Sequence, residues 1–290
     1  MSVFNSCFVF RLDIVAFGSE WWNNKFECKL FDAETGKWTS LPIMNTIRIG
    51  HPGVVVVPWG PSYRVYVFGG HDGISNLNSC EFLDIGESQW TLVEETMASI
   101  RILTCAVLLD HNTVVICGGY DALKTVATCE KFDLTTQTFS SFPDMLDKRN
   151  DHCGVHYKGT IVIVGGYNVS RLQCDACEQF DPVDSKWVRI APLNYGRSGA
   201  GAAVIEDKIY VVAGYSYGYV ERYDGSVWST VCDAPNHKES SRCAVSFRGR
   251  LVVLGHPTGI VDVLDPVTKS WNVCVYDELH MSSQMIAFSF

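Results

Sequence analysis

The sequence predicts an all-β fold, a six-bladed β-propeller in which each blade is a four-stranded sheet. Three landmarks recurring in a fixed order predict it. The first is a β-branched run ending in a glycine-containing pair: Gly18-Ser19, Gly69-Gly70, Gly118-Gly119, Gly165-Gly166, Ala213-Gly214 and Gly255-His256, with steps of 51, 49, 47, 48 and 42 residues between second members. The second is an apolar-Asp step after each pair, at Asp32, Asp84, Asp133, Asp181, Asp224 and Asp265. The third is an aromatic residue, Trp38, Trp90, Phe139, Trp187, Trp228 or Trp271, six residues after the Asp in five copies and four in the Asp224 copy. Periods of this size mark arrays of one supersecondary unit.

Each unit reads as four strands, a to d from the inside outward. In the third they are residues 104–109, 113–117, 128–132 and 138–142, separated by turn residues at 110–112, the glycine pair and 133–137. The b strands are apolar on both faces, so both faces of each sheet are covered, as they are when blades stack radially. Glycine at the end of b permits positive φ and close approach of a neighbouring backbone. The Trp on d suits the wide outer gap between blades. The b strands are expected to begin near 11, 64, 113, 160, 208 and 250, and the a strands near 52, 104, 153, 200, 243 and 283. The first b strand then lacks an a strand in front of it and the last a strand lacks a b strand behind it. The economical solution is that residues 283–290 supply the inner strand of the first blade and close the ring, which removes open sheet edges. Residues 1–10 become an N-terminal extension and 11–290 a single domain.

Composition narrows the function. The 290 residues are 47% apolar and 19% charged, with a net charge of −9, so neither a disordered chain nor a general nucleic-acid binder is expected. No run approaches the roughly 18 apolar residues of a spanning helix. The first ten residues lack a basic n-region, so no signal peptide is expected, nor a membrane partner. The expected location is the cytoplasm, in a reducing compartment. The sequon Asn168-Val169-Ser170 is a single match that chance supplies easily.

Gly-Gly, an acidic residue, Tyr/Phe-Asp and then Trp, in units of about 48 residues, resemble the kelch repeat. The chain is most similar to the kelch-like proteins. Met44-Asn45-Thr46-Ile47-Arg48, Met97-Ala98-Ser99-Ile100-Arg101, Cys-Glu-Lys-Phe-Asp at 129–133 and Cys-Glu-Gln-Phe-Asp at 177–181 carry that resemblance. It covers about residues 11 to 290, and the fifth and sixth units depart from it at Ala213-Gly214 and Gly255-His256. The resemblance implies a propeller closed by its C-terminal strand and a role in recognising substrates for a cullin-RING ubiquitin ligase. In that family the ligase-binding BTB and BACK regions precede the propeller; only about ten residues precede the first strand expected here.

In an up-and-down blade the d–a and b–c loops share one face. Arg48, Arg101, Arg149 and Arg197, with Arg242 in a shifted position, stand at the start of strand a; His71, Tyr120, Tyr167 and Tyr215 stand just past the glycine pair. One end should therefore carry Arg interleaved with Tyr and His. Two readings are open. The arginines satisfy loop carbonyls or an acid of their own repeat, or they form a recognition surface for an acidic protein segment, since Arg offers a planar fork to carboxylates and Arg and Tyr are favoured hot spots. In kelch-like proteins this face binds the partner.

Other residues carry less. Cys28, Cys80, Cys129 and Cys177 share one repeat position and Cys105, Cys153 and Cys243 another, which reads as packing; equivalent positions in different blades are too far apart for disulfides. Cys174-x-x-Cys177 has metal-like spacing but no second pair, so no metal or other cofactor is expected, and a redox role for Cys174 would need a lowered pKa. His152 and His156 fall on one face of a strand. The six Asp residues should open c–d turns. No catalytic motif is present, and no copper-binding constellation can be assigned. The expected function is a non-enzymatic interaction module; the rivals are an actin-binding scaffold and, less favoured, a propeller enzyme.

Overall fold

In the computed structural model, which describes residues 4–10, 13–20, 25–32, 37–215, 218–234, 243–254, 260–275 and 287–288, the strands assemble into six sheets among the described residues. The first contains β1 (Phe4–Phe10), β2 (Asp13–Glu20), β3 (Lys25–Asp32) and β4 (Lys37–Ser40). This corrects one expectation: residues 4–10, assigned to an N-terminal extension, form β1, which pairs antiparallel with β2 from Phe10↔Asp13 to Phe4↔Gly18. The physical reason lies in the segment itself, since three Phe and a Val in seven residues suit a pleated surface.

The second sheet is β5 (Gly53–Trp59), β6 (Ser62–Phe68), β7 (Cys80–Asp84) and β8 (Thr91–Leu92). The third is β9 (Cys105–Leu108), β10 (Thr113–Cys117), β11 (Cys129–Asp133) and β12 (Thr138–Phe142), and the fourth β13 (Cys153–Tyr157), β14 (Thr160–Val164), β15 (Cys177–Asp181) and β16 (Lys186–Ile190). The fifth is β17 (Gly201–Ile205), β18 (Lys208–Val212), β19 (Tyr219–Tyr223) and β20 (Trp228–Asp233), and the sixth β21 (Cys243–Phe247), β22 (Arg250–Leu254), β23 (Ile260–Asp265) and β24 (Ser270–Val275). Finally β25 (Ala287–Phe288) lies parallel to β1, with Cys7 opposite Ala287 and Phe8 opposite Phe288, so the described part of the C-terminal segment joins the first sheet at the edge beside β1, as a fifth, parallel strand and not as one of the four antiparallel ones. The remaining five sheets are antiparallel meanders. The innermost strands touch in chain order from β1 to β21, and β21 touches β1. Gly255-His256 lies outside the described residues.

The core lies between sheets. Val55, Tyr66 and Phe68 of the second pack on Val114, Ile116 and Phe132 of the third. Val107 and Val115 of the third meet Ile161, Ile163 and Trp187 of the fourth. The same pattern joins the fourth to the fifth and the fifth to the sixth. This explains b strands that are apolar on both faces. The outer Trp residues also cross between sheets: the indole N–H of Trp90 donates to Pro42 O (2.9 Å), of Trp187 to Pro143 O (2.8 Å), of Trp228 to Ala191 O (2.9 Å) and of Trp271 to Asp233 O (2.7 Å). Phe139 has no such donor and fills its place by packing.

Turn chemistry follows the sequence. Asp133 Oδ1 accepts the N–H groups of Thr135 (2.9 Å) and Thr136 (2.8 Å), and Asp181, Asp224 and Asp265 hold their c–d turns the same way. Asp84 differs, since its carboxylate grips Arg64. The a–b hairpins at Lys158-Gly159 and Glu206-Asp207 have positive φ at both residues, the twist-compatible two-residue turn.

Candidate protein-interaction face

The loops after strand b and before strand a meet at one end of each blade, joined by short bridges of Ile49 with His71, Ile102 with Tyr120 and Asn150 with Tyr167. The glycine pair makes this junction possible. Gly118 has φ +58, and a Cβ there would press on Arg149 O at 2.6 Å, while the N–H of Gly119 donates to that same oxygen at 2.9 Å. The equivalent N–H groups of Gly70 and Gly166 donate to Arg101 O and Arg197 O, both at 2.8 Å. Each of these arginine backbones is thus tied to the preceding blade.

Their side chains are tied to their own blade. Arg101 Nη1 donates to Gly118 O (2.9 Å) and Thr128 O (2.7 Å), and Nη2 to Glu130 Oε1 (2.9 Å). Arg48 does the same with Gly69 O, Ser79 O and Glu81, Arg149 with Gly165 O, Ala176 O and Glu178, and Arg197 with Ala213 O, Tyr219 O and Glu221. The glutamates also collect backbone donors from the d–a loops: Asn45 and Thr46 on Glu81, Ala98 and Ser99 on Glu130, Leu146 and Asp147 on Glu178, and Asn194 on Glu221. Arg48, Arg101 and Arg149 are 0% exposed and Arg197 1%. The recognition reading of these four guanidiniums is therefore corrected. Their Nη donors are taken up from within, and a buried cation must be paired where it stands. Arg242 lies outside the described residues.

The aromatic part of the expected site stands differently. His71, Tyr120, Tyr167 and Tyr215 are half-buried at this end, and the rings of Tyr167 and Tyr215 lie 6.4 Å apart. His71 turns inward to its own loop, its Nδ1 accepting the N–H of Gly73 at 2.9 Å. Beyond these residues the b–c loops rise as capped tips. Asp121 Oδ1 accepts the N–H groups of Leu123 (3.0 Å) and Lys124 (2.8 Å), and Asp72 Oδ1 those of Ile74 and Ser75, both at 2.7 Å. These backbone donors hold the Asp72 carboxyl below its ordinary range. Asn168 caps the fourth-blade loop through Ser170 and Leu172. The caps present Ile74 (90% exposed), Leu123 (85%) and Val169 (64%) to solvent.

Sequence reasoning missed these tips. The available signal was an Asx residue directly after the aromatic position, followed within three residues by an aliphatic one. Between the third- and fourth-blade tips lies a cleft of about 680 Å³, walled by Tyr120, Leu123, Lys124, Tyr167, Val169 and Arg171.

The remaining candidates are internal. Burial pushes up the thiols of Cys28, Cys80, Cys153 and Cys177, the last to about 12. Cys174 is also raised by burial, the opposite of what a redox sensor requires. Cys105 is held low by a hydrogen bond from Cys117, with His152 beside it, but both thiols are buried. Cys243 is disulfide-bonded and so departs from the packing reading of its repeat position. His152 is buried just ahead of β13, whereas His156 within that strand is exposed, so the two do not act as a pair. Among the described residues no group of three or more His, Cys, Asp or Glu could hold a metal ion, and no helix is long and apolar enough to cross a membrane.

Comparison with known proteins agrees with this architecture. The family described as the KLHDC2/KLHL20/DRC7 Kelch-repeats domain matches residues 6–214. The chain is 29% identical over 169 residues to human Kelch-like protein 23, covering 54% of this chain and 30% of that protein. It is 24% identical over 246 residues to mouse Kelch-like protein 35, covering 82% and 41%. It is 23% identical over 257 residues to the F-box/kelch-repeat protein SKIP30 of Arabidopsis thaliana, covering 84% and 67%. The chain therefore spans less than half the length of these two Kelch-like relatives. The solved structure of YjhT aligns with a TM-score of 0.77 at 13% identity, covering 94% of this chain and 98% of that one, a likeness of fold.

Proposed function

Since the chain belongs to the kelch-repeat family, we propose that it is a non-enzymatic interaction propeller whose b–c loop face binds a segment of another protein. The six sheets are read as six blades of one ring, with the first blade as the point of closure. The observation that carries the binding reading is the cleft between capped, solvent-facing tips, set on a base that the Arg–Glu pairs hold rigid. Rigid support with exposed apolar and aromatic side chains is what a pre-organised docking site needs, because little ordering remains to be done on binding. The wider role we assign, by resemblance to the kelch-like proteins, is recognition of substrates for a cullin-RING ubiquitin ligase. That role requires a ligase-binding region, such as a BTB region, in the same polypeptide or in a bound partner.

The test is affinity capture with wild type and with Tyr120→Ala/Tyr167→Ala, each checked for an unchanged thermal midpoint. The expected result is a set of captured proteins lost from the double variant. Identical capture by both would contradict the assignment of the face.

A further inference from the structure

We propose that the cleft between the b–c loops of the third and fourth blades seats an extended peptide segment carrying a carboxylate side chain beside an aliphatic or aromatic one. This rests on the face assignment above and adds the chemistry of what is bound. The cleft, about 680 Å³, falls in the range that holds a few side chains.

Its charge is one-sided. Lys124 and Arg171 are its charged residues, both are exposed, and no carboxylate lines it. Neither cation is in a salt bridge among the described residues. The acid of the third-blade loop, Asp121, lies outside the lining and turns its Oδ1 to the N–H groups of Leu123 and Lys124. On a chain of net charge −9, a cationic cleft with no internal counter-charge favours an acidic ligand and steers it in. The opening at the a–b turn end, about 530 Å³, makes the contrast. Asp110 and Asp207 stand there against the single cation Lys158, so that opening is acidic where the cleft is cationic.

The apolar half of the ligand follows from the tips. Leu123 and Val169 overhang the cleft and stay exposed, while Ile102 and Leu103 contribute from the d–a loop below. The floor is already satisfied: Asn150 Nδ2 donates to Thr125 Oγ1 at 2.7 Å, and Asn150 shares main-chain hydrogen bonds with Tyr167. A ligand therefore gains by covering aliphatic surface and by meeting the two cations, with the Tyr120 and Tyr167 hydroxyls as further donors.

The test uses random heptapeptides displayed on phage, selected on the intact chain, with the enriched sequences then synthesised carrying fluorescein. Enriched peptides are expected to place Asp or Glu within two positions of Leu, Ile, Val or Phe. Lys124→Glu/Arg171→Glu should weaken their binding by at least about tenfold, and Leu123→Ser/Val169→Ser by about fivefold, at unchanged thermal midpoint. Absence of an acidic-apolar pattern, or affinity within twofold of wild type after the charge reversal, would overturn the proposal. If the cleft fails in this way while Tyr120→Ala/Tyr167→Ala still loses captured proteins, the face assignment stands and only the ligand chemistry falls.

Discussion

Arg101 and Lys124 stand at the same end of the same blade, carry the same charge and do opposite things. Arg101 is fully buried, with its fork spent on Glu130 and two carbonyl oxygens. Lys124 sits exposed at the edge of a cleft that no acid lines. The residue that recurs in every described d–a corner solves a problem that every blade shares, namely closing its loops and joining its neighbour. The positions that change from blade to blade, Ile74-Ser75, Leu123-Lys124 and Arg171-Leu172, are free to determine what binds. Recurrence within a propeller marks scaffold, and variation on that scaffold marks recognition.

The largest expected effect breaks the scaffold. Arg149→Ala strands Glu178 in a buried site and should cost about 3–5 kcal/mol, read as a lower urea midpoint, whereas Lys124→Ala should stay within about 0.5 kcal/mol of wild type. Alanine at these buried arginines is expected to act on partner binding only through stability, not through lost contact with the partner. Next comes the glycine pair. Gly118→Ala places a side chain at φ +58 against Arg149 O, while Gly159→Ala, at φ +79, meets nothing. Both incur the left-handed cost of about 1–2 kcal/mol, and Gly118→Ala should exceed Gly159→Ala in chemical denaturation because it also clashes. Smaller still, Trp187→Phe keeps the ring but loses the hydrogen bond to Pro143 O, an expected loss of about 1 kcal/mol.

The smallest effect is one of pH. Asp224 is held down to about 2 by the N–H groups of Val227 and Ser226. A folded pKa below the unfolded value of about 3.9 means the unfolded chain binds more protons in that window. The contribution is therefore fully present above about pH 4 and is lost as pH falls toward 2. Asp224→Asn keeps the acceptor oxygen, so its stability should vary less over that window in acid titrations followed by circular dichroism.

Much of the fold was legible because its signals are local and repeat. The strands of the third blade fall within a residue of expectation, from Cys105–Leu108 to Thr138–Phe142. The first sheet was harder to read, since the strand character of Phe4–Phe10 is not flagged by any of the three landmarks. The adjacency of arginine and aromatic positions also followed from blade geometry and is realised in the bridges at His71, Tyr120 and Tyr167. Whether an arginine at a corner faces in or out is a question of what lies across from it. Glu130 answers Arg101 from 29 residues away, and that pairing has no local signature. The cleft depends on two loops of successive blades and could not be read from either alone.

The most direct measurement sets the two kinds of cation side by side, with urea midpoint and selected-peptide affinity determined on the same preparations of wild type, Lys124→Glu/Arg171→Glu and Arg101→Ala. The account predicts that the tip variant keeps its midpoint and loses at least about tenfold in affinity, while Arg101→Ala loses several kcal/mol of stability. A tip variant that binds as wild type does, or an Arg101→Ala protein that is fully stable and merely fails to bind, would contradict it.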